Sequence, residues 1–76
     1  MVKELVEYIV KNLVSQPEAV GVFVIRSGNR RTLEIKVDEQ DRGKVIGRQG
    51  QTIKSLRALV NALIPEGQSV EIDLVQ

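Results

Sequence analysis

The sequence predicts an α+β domain of two layers: a three-stranded mixed sheet with three helices on one face, in the order α-β-β-α-α-β. Apolar residues recur at helical spacing near the N-terminus and again after residue 50, and they alternate at a spacing of two in the segments read as strands. Glycine, asparagine and proline fall between these segments, where the chain must turn. At 76 residues the chain is expected to form one domain over residues 1–76.

Leu5, Val6, Ile9, Val10, Leu13 and Val14 recur at i, i+4 and i+8 in two adjacent rows, with Lys3, Glu4, Glu7, Lys11 and Asn12 opposite. That is an amphipathic helix. Ser15-Gln16-Pro17 ends it, because proline cannot continue the hydrogen-bond ladder. Ala19 to Arg26 is rich in β-branched and aromatic residues, and Thr32 to Val37 alternates, so both read as strands. Ser27-Gly28-Asn29-Arg30 reads as the hairpin turn between them. If Gly28-Asn29 is a two-residue loop, Val24 pairs with Leu33 and Val22 with Ile35, leaving Phe23 and Ile25 on the outer face. One more loop residue reverses that choice.

Asp38 to Ile46 reads as a helix of two turns, with Asp38 as N-cap and Asp41 favouring the positive N-terminal end. Gln51 to Ile64 reads as a longer helix that buries Ile53, Leu56, Val60 and Leu63 and ends at Pro65-Glu66-Gly67. Val70, Ile72 and Leu74 alternate with Glu71 and Asp73 in a last strand. A hairpin makes the first two strands antiparallel, whereas the last returns after a helical crossover and runs parallel to a neighbour.

The composition excludes much chemistry. With no cysteine and no histidine, there is no disulfide framework, zinc finger, thiol nucleophile or Ser-His-Asp triad. Neither a metal nor a cofactor is expected. The mean hydropathy of -0.08, the lack of a long apolar run and an N-terminus unlike a signal peptide imply a soluble protein without a membrane partner. The absence of cysteine fits a reducing cytoplasm. Asp38, Glu39 and Asp41 suit a helix start better than a catalytic pair, so an enzyme is the least supported class.

The formal net charge of +1 conceals a split. Residues 26–57 carry nine basic against four acidic side chains, and the remainder two basic against six acidic. Residues 42–57 hold five basic residues and no acid. Such a chain can present a cationic face to phosphate, although a merely solvated charged face is the other reading of the same residues.

The segment Gly43-Lys44-Val45-Ile46-Gly47-Arg48-Gln49-Gly50-Gln51-Thr52-Ile53 places three glycines among helix-forming residues. Each costs about 1 kcal/mol relative to alanine inside a helix. A glycine-capped corner explains Gly47 and part of Gly50, but not the cations around them. The spacing is neither GxGxxG nor GxxxxGK[ST], and the segment follows a helix rather than a strand, so dinucleotide and P-loop readings fail. What remains is a GxxG turn between two helices. There a nucleic-acid backbone can approach closely and meet the N–H groups of the next helix.

Val45-Ile46-Gly47-Arg48-Gln49-Gly50-Gln51-Thr52-Ile53 matches the (V/I)-I-G-x-x-G-x-x-I signature of KH domains in full. With its element order, the chain resembles the type II, prokaryotic KH arrangement over essentially its whole length, and in size it resembles small bacterial proteins made of a single KH domain. The resemblance implies single-stranded RNA binding, with Gly47, Arg48, Gln49 and Gly50 clamping the sugar–phosphate backbone. It places Ile46 and Ile53 at the motif's apolar positions, on the groove floor or in the core beneath. It makes the Ser27–Arg31 turn the variable loop, so that Arg30 and Arg31 flank the groove on the far side. Lys44, Lys54 and Arg57 join the candidates on charge and helix position alone. The resemblance further implies homodimers, a complex with a second KH protein, and an RNA chaperone or regulatory role linked to cell-wall homeostasis and cell length.

Tyr8 and Phe23 are the only aromatics, so stacking on aromatic platforms cannot read the bases. About four nucleotides per domain, bound with micromolar or weaker affinity and modest sequence preference, are expected. A KH-like adaptor that assembles proteins and touches RNA incidentally is the alternative function.

Overall fold

Helix α1 (Val2–Leu13) forms over the apolar double row and turns Val6 and Val10, one turn apart, completely inward. The structure is a computed structural model and describes residues 2–75. Pro17 stands at the first position of a short 3-10 turn, Pro17–Ala19. Ala19 and Val20, expected in the first strand, close that turn through Ala19 N–H to Gln16 O (3.0 Å) and Val20 N–H to Pro17 O (3.2 Å). Strand β1 (Gly21–Ser27) therefore begins at Gly21.

Strands β1 and β2 (Arg30–Lys36) pair antiparallel with Ser27 opposite Arg30, Val24 opposite Leu33 and Val22 opposite Ile35. This is the register of a two-residue loop. Gly28 takes φ 62° while Asn29 stays at negative φ, the sign pattern of a type II′ turn with glycine first. Strand β3 (Ser69–Leu74) runs parallel to β2, with Leu33 opposite Ile72, giving the order β1-β2-β3.

The inner face of the sheet supplies Val22, Leu33, Ile35, Val70 and Ile72 to one core. Helix α1 adds Val6 and Val10, helix α2 (Arg42–Ile46) adds Val45, and helix α3 (Gln51–Ala62) adds Ile53, Leu56 and Val60. Each such aliphatic side chain contributes about 1.5–3 kcal/mol when fully buried, against about 0–1 kcal/mol for a surface ion pair such as Glu7–Lys11. The core therefore sets the stability. On the outer face Phe23 and Ile25 are 54% and 48% exposed. No helix among the described residues is long and apolar enough to cross a membrane.

Two expectations need correction. The segment read as a two-turn helix is a 3-10 turn, Glu39–Asp41, followed by the short α2; Asp38 does cap its start, accepting from Gln40 N–H at 3.2 Å. Leu63, read as core, is 53% exposed. The helix stops at Ala62, and the Leu63 N–H tightens onto Val60 O (3.0 Å), so Leu63 leaves the helical row it would otherwise continue.

Candidate nucleic-acid interface

Helix α2 ends where Gly47 adopts φ 78°, ψ 172°, a region that essentially only glycine occupies. The Gly47 N–H still reaches Gly43 O at 2.9 Å, and the Gly50 N–H closes the turn onto Gly47 O at 3.1 Å. Between them Gln49 sits at φ 56°, ψ 26°, and Gly50 follows at φ 75°, ψ 14°. Three of the four turn residues thus hold positive φ. For Gln49, which carries a side chain, this costs about 1–2 kcal/mol. A side chain at 47 has no room either: its Cβ would lie 2.2 Å from Thr52 Oγ1 and 2.7 Å from Thr52 N. At 50 the space is open and only the backbone angle asks for glycine.

This backbone exposes the Arg48 and Gln49 side chains and starts α3 at Gln51 with no side-chain cap, the Gln51 N–H itself donating to Arg48 O. The first-turn N–H groups of a helix lack intrahelical acceptors and carry its positive dipole end. The structure brings Lys44, Ile46, Gly47, Arg48, Gln49, Gly50 and Lys54 to this corner. Ile46 is 37% exposed there, whereas Ile53 is 7% exposed and belongs to the core. Arg48 and Lys54 are exposed, with no carboxylate in ion-pair contact among the described residues.

The other candidate cations are engaged within the chain. Lys44 donates to the Ser15 hydroxyl and lies 3.5 Å from Asp41. Arg57 donates from Nε and Nη2 to Ile72 O at 3.2 and 3.0 Å. A groove of about 270 Å³ beside it runs between α3 and β3, with Glu71 and Asp73 on its wall. Arg30 lies 3.5 Å from Glu71, and Arg31 donates to Gln68 Oε1 at 2.8 Å. Both arginines pair with the start of β3, which follows the C-terminal end of α3. They stand one helix length from the GxxG turn, about 18 Å for twelve residues.

Asp41 is the buried charge that the sequence reading misplaced. Rather than serving the helix dipole, its 1%-exposed carboxylate accepts Ser15 N–H at 3.1 Å and Gln16 N–H at 3.0 Å. Burial pushes its pKa up, but these two N–H groups and Lys44 outweigh burial and hold it below the ordinary aspartate value. The carboxylate fastens the end of α1 to the start of α2, and thereby supports the helix that leads into the turn. Among the described residues, no group of three or more carboxylates gathers as a metal site.

A GxxG turn between two helices, on a mixed three-stranded sheet in the order α-β-β-α-α-β, defines a type II KH domain. Comparison with known proteins narrows the class: the family described as "KhpA/KhpB, KH domain" matches residues 3–74. The chain is 40% identical over 74 residues to the RNA-binding protein KhpA of Thermotoga maritima, covering 97% of this chain and 99% of that one. It is 43% identical over 74 residues to the RNA-binding protein KhpA of Clostridium perfringens, covering 96% and 99%. For the RNA-binding protein KhpA of Streptomyces coelicolor the identity is 41% over 75 residues, covering 99% and 92%. The chain belongs to the KhpA/KhpB family of KH domains. That family is non-catalytic, and this chain is not an enzyme.

Proposed function

We propose that this chain binds single-stranded RNA by clamping the sugar–phosphate backbone at Gly47–Gly50. The observation that carries the reading is the turn itself: three positive-φ residues present an uncapped helix start beside two unpaired cations, Arg48 and Lys54. Gly47 and Gly50 let the backbone approach, the α3 N–H groups meet a phosphate, and Arg48 and Lys54 supply charge. Ile46 offers an apolar contact at the same corner. Lys44 and Arg57 contribute only by exchanging their present partners, and Arg30 and Arg31 lie too far away to share the first contact. The relatives' name, RNA-binding protein, supports the same function.

The finer reading follows from the family resemblance. The chain acts in the cytoplasm as an RNA chaperone and post-transcriptional regulator, as a homodimer or with a KhpB-like KH protein, in cell-wall homeostasis and cell-length control. Pairing two weak single-domain sites would raise avidity without any new RNA contact. The exposed Phe23 and Ile25 favour a second reading, a protein adaptor that meets RNA incidentally. One comparison separates the two: RNA crosslinked in cells to the wild type and to the variant carrying both Arg48→Asp and Gln49→Asp. The clamp reading expects at least a tenfold loss in the variant with its thermal midpoint retained. Undiminished crosslinking to a folded variant refutes it.

A further inference from the structure

A cavity of about 510 Å³ opens at the C-terminal end of α3, remote from the GxxG turn. Its floor is apolar, built from Val24, Leu33, Leu63 and Val70, and this is where Leu63 points after leaving the helical row. Its rim is cationic, with Lys3, Arg26 and Arg31. Glu4, the only carboxylate on that rim among the described residues, has an interaction of its own.

Arg26 and Arg31 are direct cross-strand partners in the β1–β2 ladder. Like charges placed opposite one another destabilise a sheet, with Cβ atoms only about 4.5–5.5 Å apart. Neither makes an ion pair with a carboxylate among the described residues: Arg31 donates to the neutral Gln68 amide oxygen at 2.8 Å. Two forked donors, facing each other and uncompensated, match the geometry of a phosphate. The same two arginines and Gln68 also line a polar recess of about 180 Å³ with Asn29. The pair thus stands between an apolar chamber and a polar one.

We propose that this cavity binds a free phosphomonoester whose other end bears a flat heteroaromatic ring, as nucleoside monophosphates do. The ring lies on the Leu33–Leu63–Val70 floor, and the phosphate bridges Arg26 and Arg31, turning their repulsion into two charge-assisted contacts. A continuation of the RNA strand is disfavoured, because the α3–β3 groove that adjoins the cavity at Val70 carries the Asp73 carboxylate and a Glu71 already paired with Arg30, which do not attract phosphodiesters. The site is independent of the RNA reading.

The test is an amide-resolved NMR titration of the full chain with adenosine and uridine monophosphates, with adenosine and inorganic phosphate as separate probes. A monophosphate shifts the amides of Arg26, Arg31, Leu63 and Val70, while adenosine and phosphate bind at least tenfold more weakly. The double variant Arg26→Ala, Arg31→Ala weakens monophosphate binding at least tenfold without lowering the thermal midpoint, since it also removes the cross-strand repulsion. The proposal is overturned if millimolar monophosphate leaves these amides unmoved, if phosphate alone binds as tightly, or if the double variant binds undiminished. It is equally overturned if an eight-nucleotide RNA reaches these amides more tightly than the monophosphate, which would give the cavity to the strand.

Discussion

Gly47→Ala is the most exacting perturbation of the turn, because two independent costs meet at one atom. The backbone at φ 78°, ψ 172° costs a non-glycine residue about 1–3 kcal/mol. The added Cβ would lie 2.2 Å from Thr52 Oγ1, a side-chain atom that can rotate, but also 2.7 Å from Thr52 N, which can retreat only by moving the first turn of α3. Overpacking of that kind adds about 1–3 kcal/mol. The expected total is about 4 kcal/mol. Gly50→Ala meets nothing within 4 Å and pays only for its left-handed backbone, about 1 kcal/mol. Urea unfolding with a slope of about 1 kcal/mol/M separates the two midpoints by about 3 M, and thermal midpoints differ by more than about 10 °C for a domain of this size. Equal losses for the two alanines would refute the steric argument. Full rescue of Gly47→Ala by Thr52→Ala would refute the backbone part, since the Thr52 nitrogen remains in place.

Two further outcomes follow from the charges. Asp41 has its folded pKa depressed, so its stabilisation is complete above the unfolded value of about 3.9 and is lost as pH falls through the folded value. Thermal unfolding of Asp41→Asn against wild type should show a gap at pH 7 that narrows below about pH 4; a gap unchanged at pH 3 refutes the tie. For RNA, two free cations, Arg48 and Lys54, give a slope of log K against log salt near about −1.4, whereas all five basic residues of 42–57 would give about −3.5. A measured slope near the larger value shows that Arg42, Lys44 and Arg57 abandon their intramolecular partners on binding.

The parts legible in the sequence were those written in local pattern. The hairpin turn at Ser27–Arg30 was legible, but its register stayed open between a two-residue loop and a longer one, and the structure takes the two-residue form. The GxxG corner was legible because glycine among helix formers needs a backbone reason, and Gly47 supplies it. Long-range partners were not. Asp41 finds its donors 26 and 25 residues away, at Ser15 and Gln16, and nothing near Asp41 in the chain marks it as buried. Arg57 reads as a surface cation until β3 places Ile72 O beneath it, 15 residues on. Leu63 fits the helical row by spacing alone; the early stop of α3 decides its fate. The facing arginines at 26 and 31 belong to the same two-residue-loop register that pairs Val24 with Leu33.

Arg57 donates to Ile72 O at 3.2 and 3.0 Å, so a carbonyl of β3 is occupied by a side chain of the same chain. Sheet edges are where chains recruit one another into stacks. With β2 in the centre, β1 and β3 are the two edges of the sheet, and Arg57 covers part of the β3 edge. A strand arriving at β3 must first displace the Arg57 guanidinium from Ile72 O before its own N–H can take that carbonyl.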